Sequence, residues 1–280
     1  MITLFSDIDI KETVYPNGEI GYTFDKYDSK LGYLLQNDGC VLVEFTYEKE
    51  NLYKDLMKLY FVAKHIKNQG YDIRLQIRYM PFSRMDRVKN CNEVFTLKYI
   101  CNFINSIGFR KVYILDAHSD VTPALIDNCV VTYPVDKVKS IFYDYGIDYL
   151  CFPDAGAYKK YKDIYTLPYV IGTKNRDWKS GMINSLTIET CGNDLSGKDV
   201  LIVDDICSKG GTFILAAQAL KRLGVKDIYL FVTHCEDTIY SGKVLHDCSP
   251  IKKVFYENLL FSEEKLNQED DGLGKNLVHA

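Results

Sequence analysis

Short apolar runs alternate with amphipathic stretches along this chain, and this alternation constrains its fold more than any other feature. The apolar runs are rich in Val, Ile, Leu, Tyr and Phe, and they occupy residues 40–45, 73–80, 111–117, 149–155, 199–205 and 227–234. Runs of this length and composition are typical of buried parallel strands with helices on both faces of the sheet. The repeated order of strand and helix therefore predicts an α/β fold.

The amphipathic stretches predict the helices. Apolar residues recur at spacings of three and four within 52–68, 95–107 and 211–223, and a glycine follows each stretch at position 70, 108 or 224. Such glycines are typical of helix ends. We predict two similar lobes over residues 1–140 and 141–262, each a mostly parallel sheet flanked by helices, and a polar tail over 263–280 that frays.

The composition argues against several classes of function. The 280 residues include 34 Lys and Arg against 38 Asp and Glu, which gives a net charge of −4 and no basic surface for nucleic acid or anionic membranes. No apolar run approaches the roughly 20 residues that span a bilayer, and the opening MITLFSDIDIKE is unlike a secretory leader. The nine cysteines contain no CxxC pair, which argues against a disulfide framework and a structural zinc site. We expect a cytoplasmic protein with small-molecule substrates.

One stretch, VLIVDDICSKGGTF at 200–213, contains residues that suit two different kinds of ligand group. Asp204 and Asp205 end a predicted central strand, where open α/β sheets bind ligands, and carboxylates there can accept hydrogen bonds from ribose hydroxyls. The loop that follows offers bare amides and a helix start, which suit a phosphate. Its residues are Ser208, Lys209, Gly210, Gly211 and Thr212. A phosphorylated ribose explains both halves, whereas the simpler alternative is a turn after a buried strand.

The stretch VLIVDDICSKGGT resembles the ribose-phosphate loop that phosphoribosyltransferases share with phosphoribosyl diphosphate synthetases. Further segments resemble the synthetases in particular, in the same order along residues 12–240. They are YPNGEIGYTF (15–24, with Asn17 where the family usually has Asp), MPFSRMDRVKN (80–90), LDAHSD (115–120), FPDAGA (152–157) and GTKNRD (172–177). The resemblance implies two phosphoribosyltransferase-type lobes.

The resemblance also implies a reaction and a set of roles. The anomeric hydroxyl of a ribose 5-phosphate unit would attack the β-phosphorus of ATP, the co-substrate, and release AMP. The implied ATP-binding residues are Asn17, Gly18, Glu19, Arg84, Met85, Asp86 and His118. Asp116, His118 and Asp154 would hold or orient Mg²⁺, and Lys174 and Arg176 would be catalytic. In the family the Asn17 loop grips adenine across a subunit boundary, which implies a homo-oligomer, at least a dimer.

Each of these segments also has a simpler explanation. Asn17 and Gly18 suit a hairpin turn, Arg84 suits a surface ion pair, and Lys174 suits a solvated loop. Two other functions stay open at this point: a phosphoribosyltransferase, and a catalytically silent homologue that binds nucleotides. The role of Trp178, beside the GTKNRD segment, is open between packing and stacking on a base.

Lys209 departs from the resemblance, because family loops commonly carry Thr, Ala or Gly near this position. A lysine there can neutralise a monoester phosphate or point outward to a second phosphate. Some phage-type relatives of the synthetases act on ADP-ribose, and the wording RYMPFSRMDR resembles that branch. The acceptor is therefore open between ribose 5-phosphate and ADP-ribose.

Overall fold

The chain forms two compact units, Met1–Tyr133 and Pro134–Ala280. The computed structural model describes residues 2–4, 10–24, 40–47, 49–176, 183–262 and 277–280. The division falls before a helix, Val135–Asp144, whereas the sequence pattern placed it after residue 140, inside that helix. No Pro- or Gly-rich linker marks the division, so the polar passage around it gave no local signal of its position.

The first unit contains a five-stranded sheet and a separate hairpin. The strands are β1 (Ile2–Leu4), β2 (Ile10–Val14), β3 (Ile20–Phe24), β4 (Cys40–Phe45), β5 (Asp72–Ile77), β6 (Lys111–Leu115) and β7 (Cys129–Thr132). The sheet order is β1-β4-β5-β6-β7, in which β1 is antiparallel to β4 and the other pairs are parallel. β2 and β3 form the hairpin. The helices are α1 (Leu52–Asn68), α2 (Thr96–Ile107) and α3 (Val121–Leu125).

The core of this unit follows from its sequence periods. Val41, Val43 and Phe45 alternate with half-buried residues along β4, so one face of the strand is buried. These side chains share a core cluster with Leu59 and Val62 of α1, which lie on one face of that helix. The helix packs its apolar stripe on the sheet, as the period of its sequence predicts.

The second unit contains a seven-stranded sheet. Its strands are β8 (Tyr149–Phe152), β9 (Tyr169–Arg176), β10 (Ile183–Glu189), β11 (Asp199–Cys207), β12 (Asp227–Cys235), β13 (Lys253–Leu259) and β14 (Leu277–His279). The order is β10-β9-β8-β11-β12-β13-β14, and only β10 pairs in the antiparallel sense among these described strands. The helices are α4 (Val135–Asp144), α5 (Ala155–Tyr161) and α6 (Gly211–Arg222).

The predicted fold class is confirmed, with parallel sheets flanked by helices in both units. The helix predicted at 52–68 has those bounds, and α2 ends at Gly108, which adopts a left-handed backbone at φ +80°. The predicted tail ends differently, because residues 277–279 pair with β13 as an edge strand; residues 263–276 lie outside the described part. Within that part, no helix is both long and apolar enough to cross a membrane.

Candidate active site

The carboxyl ends of β8, β11 and β12 bring acidic residues to one edge of the second sheet. β11 pairs in parallel with β8 on one side and with β12 on the other. Asp154 follows β8, Asp204 and Asp205 lie near the end of β11, and Glu236 follows β12. Parallel strands end at a common edge, where α/β sheets place ligands, so the topology concentrates negative charge there.

The two aspartates on β11 have different surroundings. Asp205 is 6% exposed, and the Nζ of Lys160 lies 3.6 Å from its Oδ2. The Oδ1 of Asp204 accepts a hydrogen bond from the Asp205 amide at 2.9 Å. Burial, together with the charges of Asp205 and Asp154, raises the pKa of Asp204 well above its ordinary value. A cation or hydroxyl donors placed here would relieve that repulsion.

Asp154 and Lys174 form the tightest ion pair at this edge. Lys174 is on β9, which pairs with β8, and its Nζ lies 2.6 Å from the Oδ2 of Asp154. The Oδ1 of Asp154 accepts from the Ala157 amide at 2.9 Å and thereby caps α5. Burial raises the pKa of Asp154, but the Lys174 and Ala157 hydrogen bonds outweigh it and leave the pKa below its ordinary value.

The loop after β11 presents a row of unused amides. Within the described residues, no backbone carbonyl accepts a hydrogen bond from the amides of Lys209, Gly210, Gly211 or Thr212. Gly210 has φ +71° and precedes the first residue of α6. Orphan amides at the start of a twelve-residue helix are suited to an anion, because the helix dipole adds to their partial positive charge.

A second loop, residues 236–244, packs against the first. The Ser208 hydroxyl donates to the Oε2 of Glu236, and the Glu236 amide donates to the Cys207 carbonyl at 2.8 Å. A Cβ on Gly242 would lie 2.1 Å from the carbonyl oxygen of Lys209, so the two backbones touch. This contact requires glycine at 242 and fixes the shape of the loop at residues 208–212.

The Asn17 segment forms the turn of the β2–β3 hairpin. The Tyr15 amide donates to the Glu19 carbonyl at 2.8 Å, and the Glu19 amide donates to Oδ1 of Asn17 at 3.2 Å. Gly18 has a positive φ of +88° and Asn17 does not, so the turn is longer than the two-residue Asn-Gly type and places glycine at its left-handed position. The hairpin-turn interpretation is confirmed, and the contact of this turn with adenine stays a prediction.

Two other predicted segments follow neighbouring strands of the first sheet. Arg84 and Met85 are exposed and Asp86 is half-buried in the loop after β5, where Asp86 pairs with Arg87 at 3.2 Å. Asp116 follows β6, is 1% exposed and has φ +46°, while His118 is half-buried. β5 and β6 are parallel neighbours, so both loops lie at the same edge of the sheet.

The predicted site residues are divided between the two units. Asp116 and His118 belong to the first unit and Asp154 to the second. Within the described residues, no group of three or more His, Cys, Asp or Glu side chains is arranged to hold a metal ion. Arg176 ends β9, and only its backbone is described; Trp178 lies outside the described residues.

Two charged residues of the site were not predicted from the sequence. Lys160 lies on α5 and neutralises Asp205, and Glu236 contacts Ser208. Glu236 could have been found, because it lies two residues after the strand predicted at 227–234, at the end where α/β sheets bind ligands. Lys160 gave no such signal, since its contact depends on how α5 packs beside β11.

Comparison of the whole chain with known proteins identifies several similar enzymes. The chain is 27% identical to the ribose-phosphate pyrophosphokinase of Pyrococcus abyssi over 236 residues, which cover 81% of this chain and 76% of that relative. It is 29% identical to the ribose-phosphate pyrophosphokinase of Aquifex aeolicus over 226 residues, or 75% and 69% of the two chains. The chain is therefore similar to ribose-phosphate pyrophosphokinases over three quarters or more of its length.

The domain and fold comparisons add two further similarities. Residues 146–257, which include β8, β11, β12 and both loops described above, match the phosphoribosyl transferase domain. The phosphoribosylpyrophosphate synthetase of Mycobacterium smegmatis superimposes with a TM-score of 0.68 at 20% identity, over 98% of this chain and 86% of that chain. At that identity the superposition establishes the fold alone.

Proposed function

We propose that the protein is an ATP-dependent diphosphokinase of the ribose-phosphate pyrophosphokinase type. It transfers the β,γ-diphosphate of ATP to the anomeric hydroxyl of a ribose 5-phosphate unit and releases AMP. The proposal rests on one observation. Asp204 and Asp205 lie at the same edge of the second sheet as the amides of residues 209–212, which donate to no backbone carbonyl within the described residues. The similarity to pyrophosphokinases over four fifths of the chain supports the same reaction.

The acceptor occupies the edge of the second sheet. The amides of residues 209–212 bind its 5-phosphate, and the carboxylates of Asp204 and Asp205 accept hydrogen bonds from its ring hydroxyls. Lys160 orients the Asp205 carboxylate, since its positively charged Nζ lies 3.6 Å from Oδ2. These contacts hold the anomeric hydroxyl in place for attack.

ATP is contacted by the loops of the first unit, through the Asn17–Glu19 turn, the Arg84–Asp86 loop and His118. The donor set fits Mg²⁺, because the carboxylates of Asp154, Asp204 and Asp205 are hard oxygen ligands of the kind that this ion prefers. Asp116, His118 and Asp154 are the residues that would hold or orient the ion directly or through water. Bound Mg²⁺ would neutralise charge on the phosphates.

Lys174 is the proposed catalytic cation, with Arg176 beside it on the same strand. Lys174 pairs with Asp154 at 2.6 Å. Its ammonium stabilises the negative charge that redistributes over the transferred diphosphate in the transition state. The Asp154 pair keeps the ammonium at the sheet edge until ATP phosphates replace the carboxylate.

The finer proposal concerns the acceptor, which we infer to be a ribose whose 5-phosphate continues into a second phosphate, as in ADP-ribose. Lys209 supports this inference, since its side chain is exposed at the loop and free of the buried strand ends. From there its ammonium can reach a second phosphate outside the pocket. Ribose 5-phosphate is the alternative acceptor.

Release of AMP from ATP tests the reaction. Purified protein with ATP and Mg²⁺ should form AMP only when ribose 5-phosphate or ADP-ribose is present, with one acceptor diphosphate formed per AMP. A phosphoribosyltransferase would instead release diphosphate from an activated ribose, and a silent homologue would release nothing. ADP as the nucleotide product would contradict the proposal.

Substitution of Lys209 by Thr tests the acceptor. If Lys209 binds a second phosphate, K209T should lower kcat/KM for ADP-ribose relative to ribose 5-phosphate by about 10-fold to 150-fold. This factor corresponds to a charged hydrogen bond of about 1.5–3 kcal/mol. The exposed Lys226, which precedes β12 at the opposite edge of the sheet, provides a control, and K226T should leave the ratio unchanged. An equal or larger loss for ribose 5-phosphate would assign Lys209 to a monoester phosphate instead.

We also propose that the protein acts as a homo-oligomer, at least a dimer. The proposal is supported by the tip of the β2–β3 hairpin, where Val14 is 65% and Tyr15 is 51% exposed. Apolar side chains at such a tip suit burial by a second copy. Light scattering should give at least twice the 32.2 kDa mass of the chain, and a monomer at working concentration would refute it.

A further inference from the structure

A carboxylate is hydrogen-bonded to the first side chain of the proposed phosphate loop. The Ser208 hydroxyl donates its single proton to the Oε2 of Glu236, and the Thr238 hydroxyl donates to the same oxygen at 3.3 Å. Glu236 therefore occupies a donor that a phosphate would otherwise use. An anion bound at Ser208 would meet a negative charge there.

The position of Glu236 is fixed by the fold. Its amide donates to the Cys207 carbonyl at 2.8 Å, and its carbonyl accepts from the Ile239 amide at 3.1 Å. Further along the same loop, a Cβ on Gly210 would lie 2.1 Å from the Cγ2 of Val244. The loop of residues 236–244 thus touches the phosphate loop at both ends and fixes the backbone of Glu236, while the hydroxyls of Ser208 and Thr238 hold its carboxylate.

The charge of Glu236 acts differently on two kinds of 5-phosphate. A phosphate oxygen in contact with the Ser208 hydroxyl would lie within about 6 Å of the carboxylate, since both oxygens lie at most about 3 Å from the hydroxyl oxygen. A terminal monoester phosphate carries about 1.5 to 2 negative charges at pH 7. A phosphate esterified on both sides carries one. Repulsion by Glu236 scales with the charge of the phosphate, so it opposes the monoester up to about twice as strongly as the diester.

We propose that Glu236 is a specificity-determining residue that selects acceptors whose 5-phosphate is esterified on both sides, and disfavours those that end in a monoester. The inference rests on the proposed function, since it assigns the loop to the acceptor's 5-phosphate. It does not depend on Lys209, because Glu236 discriminates by the charge of the first phosphate whether or not a second phosphate follows.

Binding of two small ligands to the wild-type protein tests this directly. Ribose 5-phosphate and its 5-phosphate methyl ester differ by one methyl group and one charge, and neither contains a second phosphate. Isothermal titration calorimetry should give a dissociation constant at least about tenfold lower for the methyl ester. Equal affinities, or tighter binding of ribose 5-phosphate, would overturn the inference. Because the measurement is of binding, it stands even if the proposed transfer reaction is absent.

The variant E236Q gives the second test. Glutamine keeps the shape of Glu236 and an oxygen that accepts from Ser208, and it removes the charge. We expect E236Q to bind ribose 5-phosphate at least about tenfold more tightly and the methyl ester, which carries about half the charge, only about threefold more tightly. The control is D247N, which removes an exposed carboxylate further along the chain after β12 and should leave both affinities unchanged. A parallel change for both ligands in E236Q would make Glu236 a structural support for the loop and refute its role in charge selection.

Discussion

Both the backbone conformation and a close neighbouring side chain restrict position 210 of the loop to glycine. Its backbone is left-handed at φ +71°, and a Cβ there would lie 2.1 Å from the Cγ2 of Val244. In alanine this backbone conformation costs about 1–2 kcal/mol and the overlap costs about 1–3 kcal/mol. The lower flexibility of the unfolded chain offsets about 0.4–1 kcal/mol of this loss. We expect G210A to lower the free energy of unfolding by about 2–4 kcal/mol.

Urea unfolding followed by fluorescence measures this change. G211A is the matched control, because nothing lies within 4 Å of its added Cβ and its φ is not positive. Its stability should be unchanged or raised by up to about 1 kcal/mol. In a V244A background, which removes the overlapping methyl group, G210A should cost only the backbone part, about 1 kcal/mol. An equal cost of G210A in both backgrounds, or of G210A and G211A, would refute the assigned contact.

Three further predictions concern the charged groups. K174A should lower kcat at least about 100-fold and leave KM for ATP within about threefold, measured by AMP release, and near-normal kcat would remove Lys174 from catalysis. D205A should raise KM for the acceptor about tenfold or more without changing KM for ATP, and an equal rise for both would place Asp205 outside the acceptor site. Because the pKa of Asp204 is raised in the folded state, the free energy of unfolding falls as the pH rises above about 4, where this carboxyl group ionises in the unfolded chain. D204N should therefore be more stable than the wild type at pH 7 and lose that advantage near pH 4 in urea titrations; an advantage independent of pH would contradict the repulsion.

The parts of the fold that were predictable from sequence are those set by local signals. The alternating residues of β4 and the three- and four-residue spacing of α1 are properties of short windows, and both elements have the predicted bounds. β11 was predicted to end at Asp205 but continues to Cys207. The extra residues pair with β12, in the register Ile206 with His234, and that pairing is set by a distant part of the chain.

The same distinction applies to the candidate site. The acidic strand end and glycine loop at 204–212 form one continuous segment, so the pattern alone identified them. The contacts of Lys160 with Asp205 and of Glu236 with Ser208 join separate segments. They depend on which strands are neighbours, and no local pattern in the sequence specifies that order.

The central claim is that the diphosphate of ATP moves as a unit to the anomeric oxygen of a 5-phosphorylated ribose. Phosphorus NMR of a reaction containing protein, Mg²⁺, ATP and acceptor measures this most directly. The account predicts equal amounts of AMP and of a new diphosphate whose inner phosphorus couples to the anomeric proton. Formation of ADP, or of AMP with free diphosphate and an unchanged acceptor, would contradict it.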